Sequence, residues 1–423
     1  MSNEKSHPPL GPVSAALVEK ARNFYTLNYK PREMILDRGR GAVIYDLDGN
    51  DYIDLGSGIA VASLGHCHPR LVKTLNKQSK KLWHTSNVFY TEPPIRLAEK
   101  LVELSGFARR VYLCNSGTEA NEAAIKLVRK YAADRGRDPS HREIISFAGS
   151  FHGRTLAAVT ATAQPKYHQG FEPLPPGFVY CGKFNDEAAI SALVNDKTCA
   201  IFVEPVQGEG GVVPAKAGFL QHLRMLCDKV GALLVVDEIQ AGMARTGTVF
   251  AHAQDEVTPD VVTLAKALGC GLPIGAMLVG EKAAETFQFG SHGSTFGGNP
   301  VMAAVALEAI TILSTPQIAK NVREKHIQII KSLSQINAEF DLFSELRGRG
   351  LMVGAELKAA YKGQANAIAD LARKEGVLVL IAGPDVLRFL PPLNITEREL
   401  KKGLLRLRNA LSVFKNNFNP AAA

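Results

Sequence analysis

Short runs of apolar residues alternate along this chain with stretches in which apolar residues recur at helical spacing. The runs predict buried strands at residues 111–114, 144–147, 200–203, 233–236, 261–264 and 274–279. Helical spacing is clear at residues 118–133 and 219–229. Because strands that alternate with helices form crossover units, this order predicts an α/β fold with a largely parallel sheet and helices on both faces.

The N-terminal and C-terminal parts of the chain show a different pattern of apolar residues. Alternating apolar residues at 42–47 and 51–55 flank an Asp48-Gly49-Asn50 turn, which is typical of a β-hairpin. The C-terminal pattern predicts helices at 301–313 and 317–336, short strands at 352–357, 377–380 and 387–390, and a last helix that begins at the capping box of Thr396 and Glu399.

This change in the pattern of predicted helices and strands indicates two domains. We expect residues 71–299 to form a large domain and residues 300–423 a small α+β domain. The N-terminal segment, residues 1–70, contains a hairpin too small to fold alone, which should join the small domain or else wrap the large one.

Composition narrows the class of protein. A chain of 423 residues is long for a single core, and its 46% hydrophobic and 21% charged residues are typical of a soluble globular protein. No apolar stretch is long enough to span a bilayer. The N-terminus resembles neither a secretory signal nor a transit peptide, so we expect a cytoplasmic protein without a membrane partner.

Charge and metal-binding residue types exclude further classes. The formal net charge of +8 does not indicate a nucleic-acid partner, since acidic residues interleave with Lys and Arg and no stacking aromatic residues accompany them. The six cysteines include no C-x-x-C pair, which disfavours a zinc site. We expect no metal, and a structural role for the histidines at positions 66, 68, 84, 152 and 292.

Two polar residues at predicted strand ends point to one cofactor. Asp237 follows the run at 233–236, and Lys266 follows the run at 261–264. The two residues are about 30 positions apart, roughly the length of one strand-crossover-strand unit. An amine there can condense with an aldehyde while a carboxylate holds a proton on a pyridine nitrogen, which suits pyridoxal phosphate. Either residue alone would more often be a cap or a solvated charge.

A predicted helix start offers a place for the phosphate of such a cofactor. The segment at 115–121 follows a strand and opens a helix, where free amides and Gly117 suit an anion. Ser116 and Glu119 also fit a capping box that would satisfy the same amides without a ligand.

The loop after the strand at 144–147 carries an aromatic residue and a cation. Phe151 can cover one face of a planar ring, and Arg154 can grip a carboxylate, although such a cluster alone would be an ordinary turn. Glycine-rich loops at 208–211 and 269–275 lack the spacing and the following helix of a dinucleotide fingerprint. A nicotinamide-dependent oxidoreductase is therefore disfavoured.

Together these motifs resemble the class III, fold type I, pyridoxal-phosphate aminotransferases, and within them the acetylornithine and succinylornithine aminotransferases. The motifs cover nearly the whole chain, at residues 58–61, 64–69, 83–87, 115–121, 151–154, 204–211, 237–240, 265–269, 294–300 and 382–389. The resemblance implies a mostly parallel seven-stranded sheet in the large domain, a small domain built from both termini, a pyridoxal 5'-phosphate cofactor and a homodimer.

The resemblance also implies roles around the cofactor. Lys266 would bond to the cofactor aldehyde, Asp237 would partner the pyridine nitrogen, and Gln240 would lie near the ring hydroxyl. Thr295 would complete the phosphate site across the dimer interface. Further cofactor contacts are implied for Ser116, Gly117, Thr118, Phe151, Glu238 and Ile239.

Substrate contacts are implied in the same way. Arg154 and Ser294 match positions that contact the acylated ornithine. Arg388 matches the arginine that takes the α-carboxylate, and Glu209 matches the acid that masks this arginine during the ornithine half-reaction. Phe296, Ile239, Ala241 and Cys270 depart from the usual residues of the family, which bears on fine substrate tuning.

The implied reaction transfers the terminal amine of N2-acetyl-L-ornithine to 2-oxoglutarate, a step of arginine biosynthesis. Succinylornithine transamination in arginine breakdown is the next alternative, followed by ornithine or 4-aminobutyrate transamination. An aminomutase or a non-catalytic scaffold could share the fold, but the presence of both Lys266 and Asp237 disfavours the scaffold.

Overall fold

The computed structural model describes residues 10–418 of the chain. Its helices within that range are α1 (Pro12–Phe24), α2 (Ser57–Ala60), α3 (Pro69–Gln78), α4 (Glu92–Ser105), α5 (Gly117–Asp134), α6 (Leu156–Ala161), α7 (Glu187–Leu193), α8 (Phe219–Val230), α9 (Pro300–Leu313), α10 (Pro316–Phe340), α11 (Ala365–Lys374) and α12 (Glu397–Asn417). No single helix among these is long and apolar enough to cross a membrane, and α9 with α10 meets that test only as a pair bent by 65°.

The strands are short, as expected for a sheet joined by helical crossovers. They are β1 (Leu36–Arg40), β2 (Val43–Asp46), β3 (Asp51–Asp54), β4 (Ala108–Cys114), β5 (Glu143–Phe147), β6 (Phe178–Cys181), β7 (Thr198–Val203), β8 (Val206–Gln207), β9 (Val213–Pro214), β10 (Leu233–Asp237), β11 (Val261–Leu264), β12 (Gly275–Gly280), β13 (Phe343–Arg349), β14 (Met352–Leu357), β15 (Val377–Leu378), β16 (Leu380–Ile381) and β17 (Val386–Phe389).

A seven-stranded sheet in the order β4-β12-β11-β10-β7-β5-β6 forms the centre of the molecule. The strands from β11 to β6 run parallel, and β12 is antiparallel to both of its neighbours. Every residue of β7, β10 and β11 is buried, which explains why these strands appear in the sequence as unbroken apolar runs. The predicted α/β fold with a mostly parallel sheet is confirmed.

The apolar pattern of the sequence did not predict a strand at the sheet edge or a strand made mostly of polar residues. β6, at the edge of the central sheet, has only four residues, of which only Cys181 is buried. β13 is longer, but it carries Ser344, Glu345 and three further polar or glycine positions among its exposed and half-buried residues. Neither segment shows an apolar run or a clean alternation, so neither gives a strand signal.

The N-terminal hairpin and the C-terminal segment share a sheet. β1, β2 and β3 form the predicted hairpin with one added strand, and β3 pairs in parallel with β15. A second sheet has the order β13-β14-β17-β16. The prediction of a single strand at 377–380 is wrong, because the chain leaves β3 after Leu378 and Leu380 pairs instead with Arg388 of β17. α12 begins with the predicted capping box, with both reciprocal hydrogen bonds present.

Candidate active site

Asp237 and Lys266 lie at the ends of neighbouring strands. β10 and β11 pair in parallel, and Asp237, the last residue of β10, is opposite Thr263. Lys266 opens a short turn two residues beyond β11 with a positive φ of 42°, a conformation that non-glycine residues rarely adopt. The expected placement of the two strands side by side is therefore confirmed.

The Asp237 carboxylate is buried and is held by three N–H donors. Oδ2 accepts hydrogen bonds from Asn121 Nδ2 and from His152 Nδ1, each at 2.8 Å, and Oδ1 accepts one from the Ile239 amide at 3.0 Å. Within residues 10–418 no Lys or Arg pairs with it. A buried carboxylate of this kind suits a cationic N–H donor such as a protonated pyridine nitrogen.

The Lys266 amine is held in a setting that favours its neutral form. Burial lowers its pKa, while the nearby carboxylates of Glu209 and Asp237 oppose that effect and Arg388 adds to it. The amine makes no hydrogen bond or ion pair within the described part of the chain. A free, partly neutral amine is what condensation with an aldehyde requires.

The helix start at α5 retains free amides. Ser116 Oγ accepts from the Glu119 amide at 3.2 Å, but the Glu119 carboxylate accepts from the Asn115 amide at 2.7 Å instead of closing a capping box. In the described residues the amides of Gly117 and Thr118 have no acceptor. A side chain at position 117 would contact Ile239, with a Cβ 2.9 Å from its Cδ1 atom. The half-formed cap thus leaves an anion cradle that fits a phosphate.

The loop after β5 is fastened to that cradle. The Thr118 hydroxyl lies 3.0 Å from the Thr155 hydroxyl and accepts from the Arg154 amide at 3.2 Å. Gly153, with a φ of 139°, has no room for a Cβ because Thr118 Oγ1 occupies the space. The Arg154 guanidinium is exposed, lies 4.1 Å from the centre of the Tyr167 ring and has no acidic partner in the described residues. It is therefore free to bind a carboxylate.

Arg388 and Glu209, which are far apart in the sequence, form a buried ion pair. Arg388 is 3% exposed, and its Nη1 donates to Glu209 Oε1 at 2.5 Å, to the Gly208 carbonyl at 3.1 Å and to Gln240 Oε1 at 3.3 Å. Burial opposes ionisation of Glu209, but the Arg388 guanidinium holds the pKa of this carboxyl below its usual value. Arg388 Nε is buried without a partner in residues 10–418, so the guanidinium has capacity for a further acceptor.

Two of the expected residues lie in a separate loop. Ser294 Oγ accepts from Asn115 Nδ2 and from the Gly297 amide, each at 3.0 Å, which ties the loop to the end of β4. Thr295 is exposed, and its hydroxyl has no hydrogen-bond partner among the described residues. The chain by itself does not bring Thr295 into contact with Lys266 or Asp237.

The Glu238 side chain is engaged with residues 251 and 252, and its expected contact with the cofactor stays a prediction. The carboxylate accepts from the amides of Ala251 and His252, each at 2.7 Å, and from His252 Nδ1 at 2.6 Å. Successive residues at a strand end point to opposite faces, so Asp237 faces the site and Glu238 faces away from it. Ile239 packs at Gly117.

Three buried residues of the site were missed by the sequence reasoning. Asn121 and His152 hold Asp237, and His152 had been assigned only a general structural role. Glu204, 6% exposed, accepts from the Phe151 amide at 3.0 Å and from the Gly208 amide at 3.3 Å. Burial and the neighbouring Asp237 raise the pKa of Glu204 to about 7, although His152 opposes the shift. The only sequence signal was their position just after a strand or at a helix start.

Known proteins share this architecture along nearly the whole chain. The family model of the aminotransferase class-III proteins matches residues 24–411. An acetylornithine aminotransferase of Xanthomonas axonopodis pv. citri is 59% identical over 393 residues, which cover 93% of this chain and 96% of that protein. A succinylornithine transaminase of Salmonella enteritidis is 51% identical over 379 residues, covering 89% and 92%.

The solved structures agree with the sequence relatives. The crystal structure of an N-acetylornithine aminotransferase from Stenotrophomonas maltophilia superposes with a TM-score of 0.83 at 51% identity, covering 94% of this chain and 99% of that one. The fold of this chain thus has an experimentally determined counterpart.

Proposed function

Because this chain belongs to the class-III aminotransferases and is a pyridoxal-phosphate-dependent transaminase, we propose that it transfers the terminal amine of N2-acetyl-L-ornithine to 2-oxoglutarate. The products are N-acetyl-L-glutamate 5-semialdehyde and L-glutamate, and the step belongs to arginine biosynthesis. One observation carries the proposal: a Lys266 amine and a buried Asp237 carboxylate lie beside a helix start with free amides. The relative that is 59% identical supports the choice of substrate.

The bound cofactor supplies an aldehyde that takes up the amine and a pyridine ring that withdraws electrons from the substrate carbon. Asp237 keeps a proton on the ring nitrogen, and His152 and Asn121 keep Asp237 oriented. Lys266 would be the base that takes the proton from the substrate carbon, since burial lowers the pKa of its amine. Ser116, Gly117 and Thr118 would hold the phosphate of the cofactor, and Phe151, Ile239 and Gln240 would contact its ring.

The two half-reactions use different residues to bind their substrates. Arg154 and Ser294 bind the acylated ornithine, whose blocked α-amine leaves only the distal amine to react. Arg388 binds the α-carboxylate of 2-oxoglutarate and glutamate. The Glu209–Arg388 pair masks this arginine while the ornithine substrate is bound, and the 2.5 Å contact supports that role.

We assign the active form as a cytoplasmic homodimer, in which Thr295 reaches the phosphate of the partner subunit. Large apolar side chains are exposed in and beside the Thr295 loop, among them Trp83 at 67% and Phe296 at 59%. Asn299 Nδ2 donates to the Trp83 carbonyl at 2.6 Å, so the two segments form one surface. Covering it with a second copy would bury an apolar patch that a monomer rarely exposes.

We also propose that residues 10–70 and 300–418 form the small domain around the large domain of residues 71–299; the remaining ends of the predicted segments 1–70 and 300–423 lie outside the described residues. The parallel pairing of β3 with β15 supports this grouping.

A second candidate function is succinylornithine transamination, which the Salmonella relative favours. Ornithine or 4-aminobutyrate transamination is a third. The decisive experiment measures kcat/KM for acetylornithine, succinylornithine and free ornithine with 2-oxoglutarate as acceptor. Acetylornithine should be preferred, and equal efficiency with free ornithine would refute an acylornithine preference.

A further inference from the structure

Glu204 is a buried carboxylate that the proposed reaction does not use. It follows directly after β7, and no Lys or Arg pairs with it in the part of the chain that the structure describes. Burying a carboxylate that has no Lys or Arg partner costs free energy. Two backbone amides offset part of that cost, and their hydrogen bonds also tie Glu204 to the loops in which they lie. Those donors, Phe151 and Gly208, belong to two different strand-end loops.

The Gly208 peptide is held on both sides. Its N–H donates to Glu204, and its carbonyl accepts from Arg388 Nη1 at 3.1 Å. A Cβ at position 208 would collide with the side-chain amide of Gln240, so the backbone is confined there as well. Glu209 is the next residue, and its side chain extends from this fixed peptide to Arg388.

The other carboxylate oxygen fixes the loop that covers the ring. The Phe151 amide donates to Glu204 Oε2 at 3.0 Å, and the following residue, His152, bonds to Asp237. One carboxylate therefore joins the backbone of Phe151 to that of Gly208, the residue before Glu209. We call the Glu209–Arg388 ion pair the gate.

We infer that Glu204 is a positioning residue that couples the Phe151 ring to the gate, so that the gate opens by movement of the Glu209 side chain alone. The inference rests on the proposed function. Without Glu204, the whole 208–211 loop would move with Glu209, and the closed state that acylornithine needs would be poorly defined. The half-reaction of 2-oxoglutarate needs the open gate and would lose less.

Glu204→Gln tests the coupling, because the glutamine NH2 group cannot accept from the second amide. Losing one of these two hydrogen bonds should lower kcat/KM of the acetylornithine half-reaction about tenfold, and that of 2-oxoglutarate less than about threefold. The visible circular dichroism of the bound cofactor should change, and cofactor dissociation should be about tenfold faster, since the Phe151 loop is loosened.

Asp46→Asn is the matched control. Asp46 is also a buried acid, 4% exposed, that accepts from a backbone amide, Asn50 at 2.8 Å, but it lies in the hairpin. It should leave the ratio of the half-reactions and the cofactor spectrum unchanged. An unchanged ratio and spectrum in Glu204→Gln, or equal changes in Asp46→Asn, would overturn the inference.

Amide hydrogen exchange of the wild-type holoenzyme tests the inference without a variant. The Phe151 and Gly208 amides should be protected, and Gly208 should stay protected when 2-oxoglutarate is added. Rapid exchange at either amide would overturn the coupling. Failure of the proposed function is distinguishable, because acetylornithine would then leave the cofactor absorbance of the wild-type enzyme unchanged.

Discussion

Replacing Glu209 by glutamine should shift the enzyme towards its 2-oxoglutarate half-reaction. In the closed structure the carboxylate bonds to Arg388 at 2.5 Å, and the two side chains are only 23% and 3% exposed. An incoming α-carboxylate must displace Glu209 before it can bind the guanidinium. Glutamine keeps the shape of the side chain but removes its charge, so it is easier to displace.

The expected magnitude follows from the hydrogen bond that changes. A hydrogen bond to a charged group contributes about 1.5–3 kcal/mol, and the glutamine, which still bonds to the charged guanidinium but no longer carries the opposite charge, should lie at the lower end of that range; the difference is about 1–1.5 kcal/mol, or roughly tenfold. The apparent Kd of 2-oxoglutarate should fall about tenfold, and selectivity for acetylornithine over glutamate as amine donor should fall by a similar factor.

Single-turnover measurements of each half-reaction provide the assay. The matched control is Glu339→Gln, which removes a carboxylate paired with Arg408 on the surface, where the two side chains are 42% and 45% exposed. That change should leave both half-reactions unaltered. A 2-oxoglutarate affinity that stays the same or weakens in Glu209→Gln would refute the masking role of Glu209.

Lys266→Ala should abolish turnover and remove the visible absorbance of the covalently bound cofactor, and normal activity would contradict its assigned role. Asp237→Asn should lower kcat by about a hundredfold or more while cofactor remains bound, because the ring nitrogen loses its proton partner; a loss of only a few fold in steady-state assays would argue against this. Lys266→Met should stabilise the cofactor-free protein towards urea at pH 7, since burial lowers the pKa of Lys266 and the charged form is disfavoured only in the folded state. The gain should shrink as the pH rises from the lowered pKa of folded Lys266 towards that of the unfolded lysine, about 10.4, and an unchanged midpoint at pH 7 would contradict it. Thr396→Ala should cost about 1 kcal/mol of unfolding free energy through loss of the α12 cap, without altering kcat or KM.

Buried strands were predictable because burial on both faces leaves an unbroken apolar run, as in β7, β10 and β11. Polar strands such as β13 gave no such signal. The split between β15 and β16 depends on which sheet edge is nearest, and that is a tertiary property.

The residues of the site also divide into those that the local sequence predicts and those whose roles depend on tertiary contacts. Asp237 and Lys266 were recognisable because each directly follows a predicted strand. Ionic partners such as Glu209 and Arg388 were linked only through the family resemblance, since no local pattern connects residues so far apart. His152 and Glu204 act through the residues that they hold, so their roles became visible only with the coordinates.

The passage of one short segment through two sheets has a consequence for building chimeric enzymes. The Leu378 carbonyl accepts from the Leu55 amide beside the hairpin, and Leu380, two residues further on, is the strand neighbour of Arg388. Gly56 lies so close to Leu380 that a Cβ there would be 2.8 Å from its Cγ atom. An exchange of C-terminal halves between two related enzymes must therefore carry the N-terminal hairpin with it, or the transplanted arginine will arrive with its supporting strand out of register.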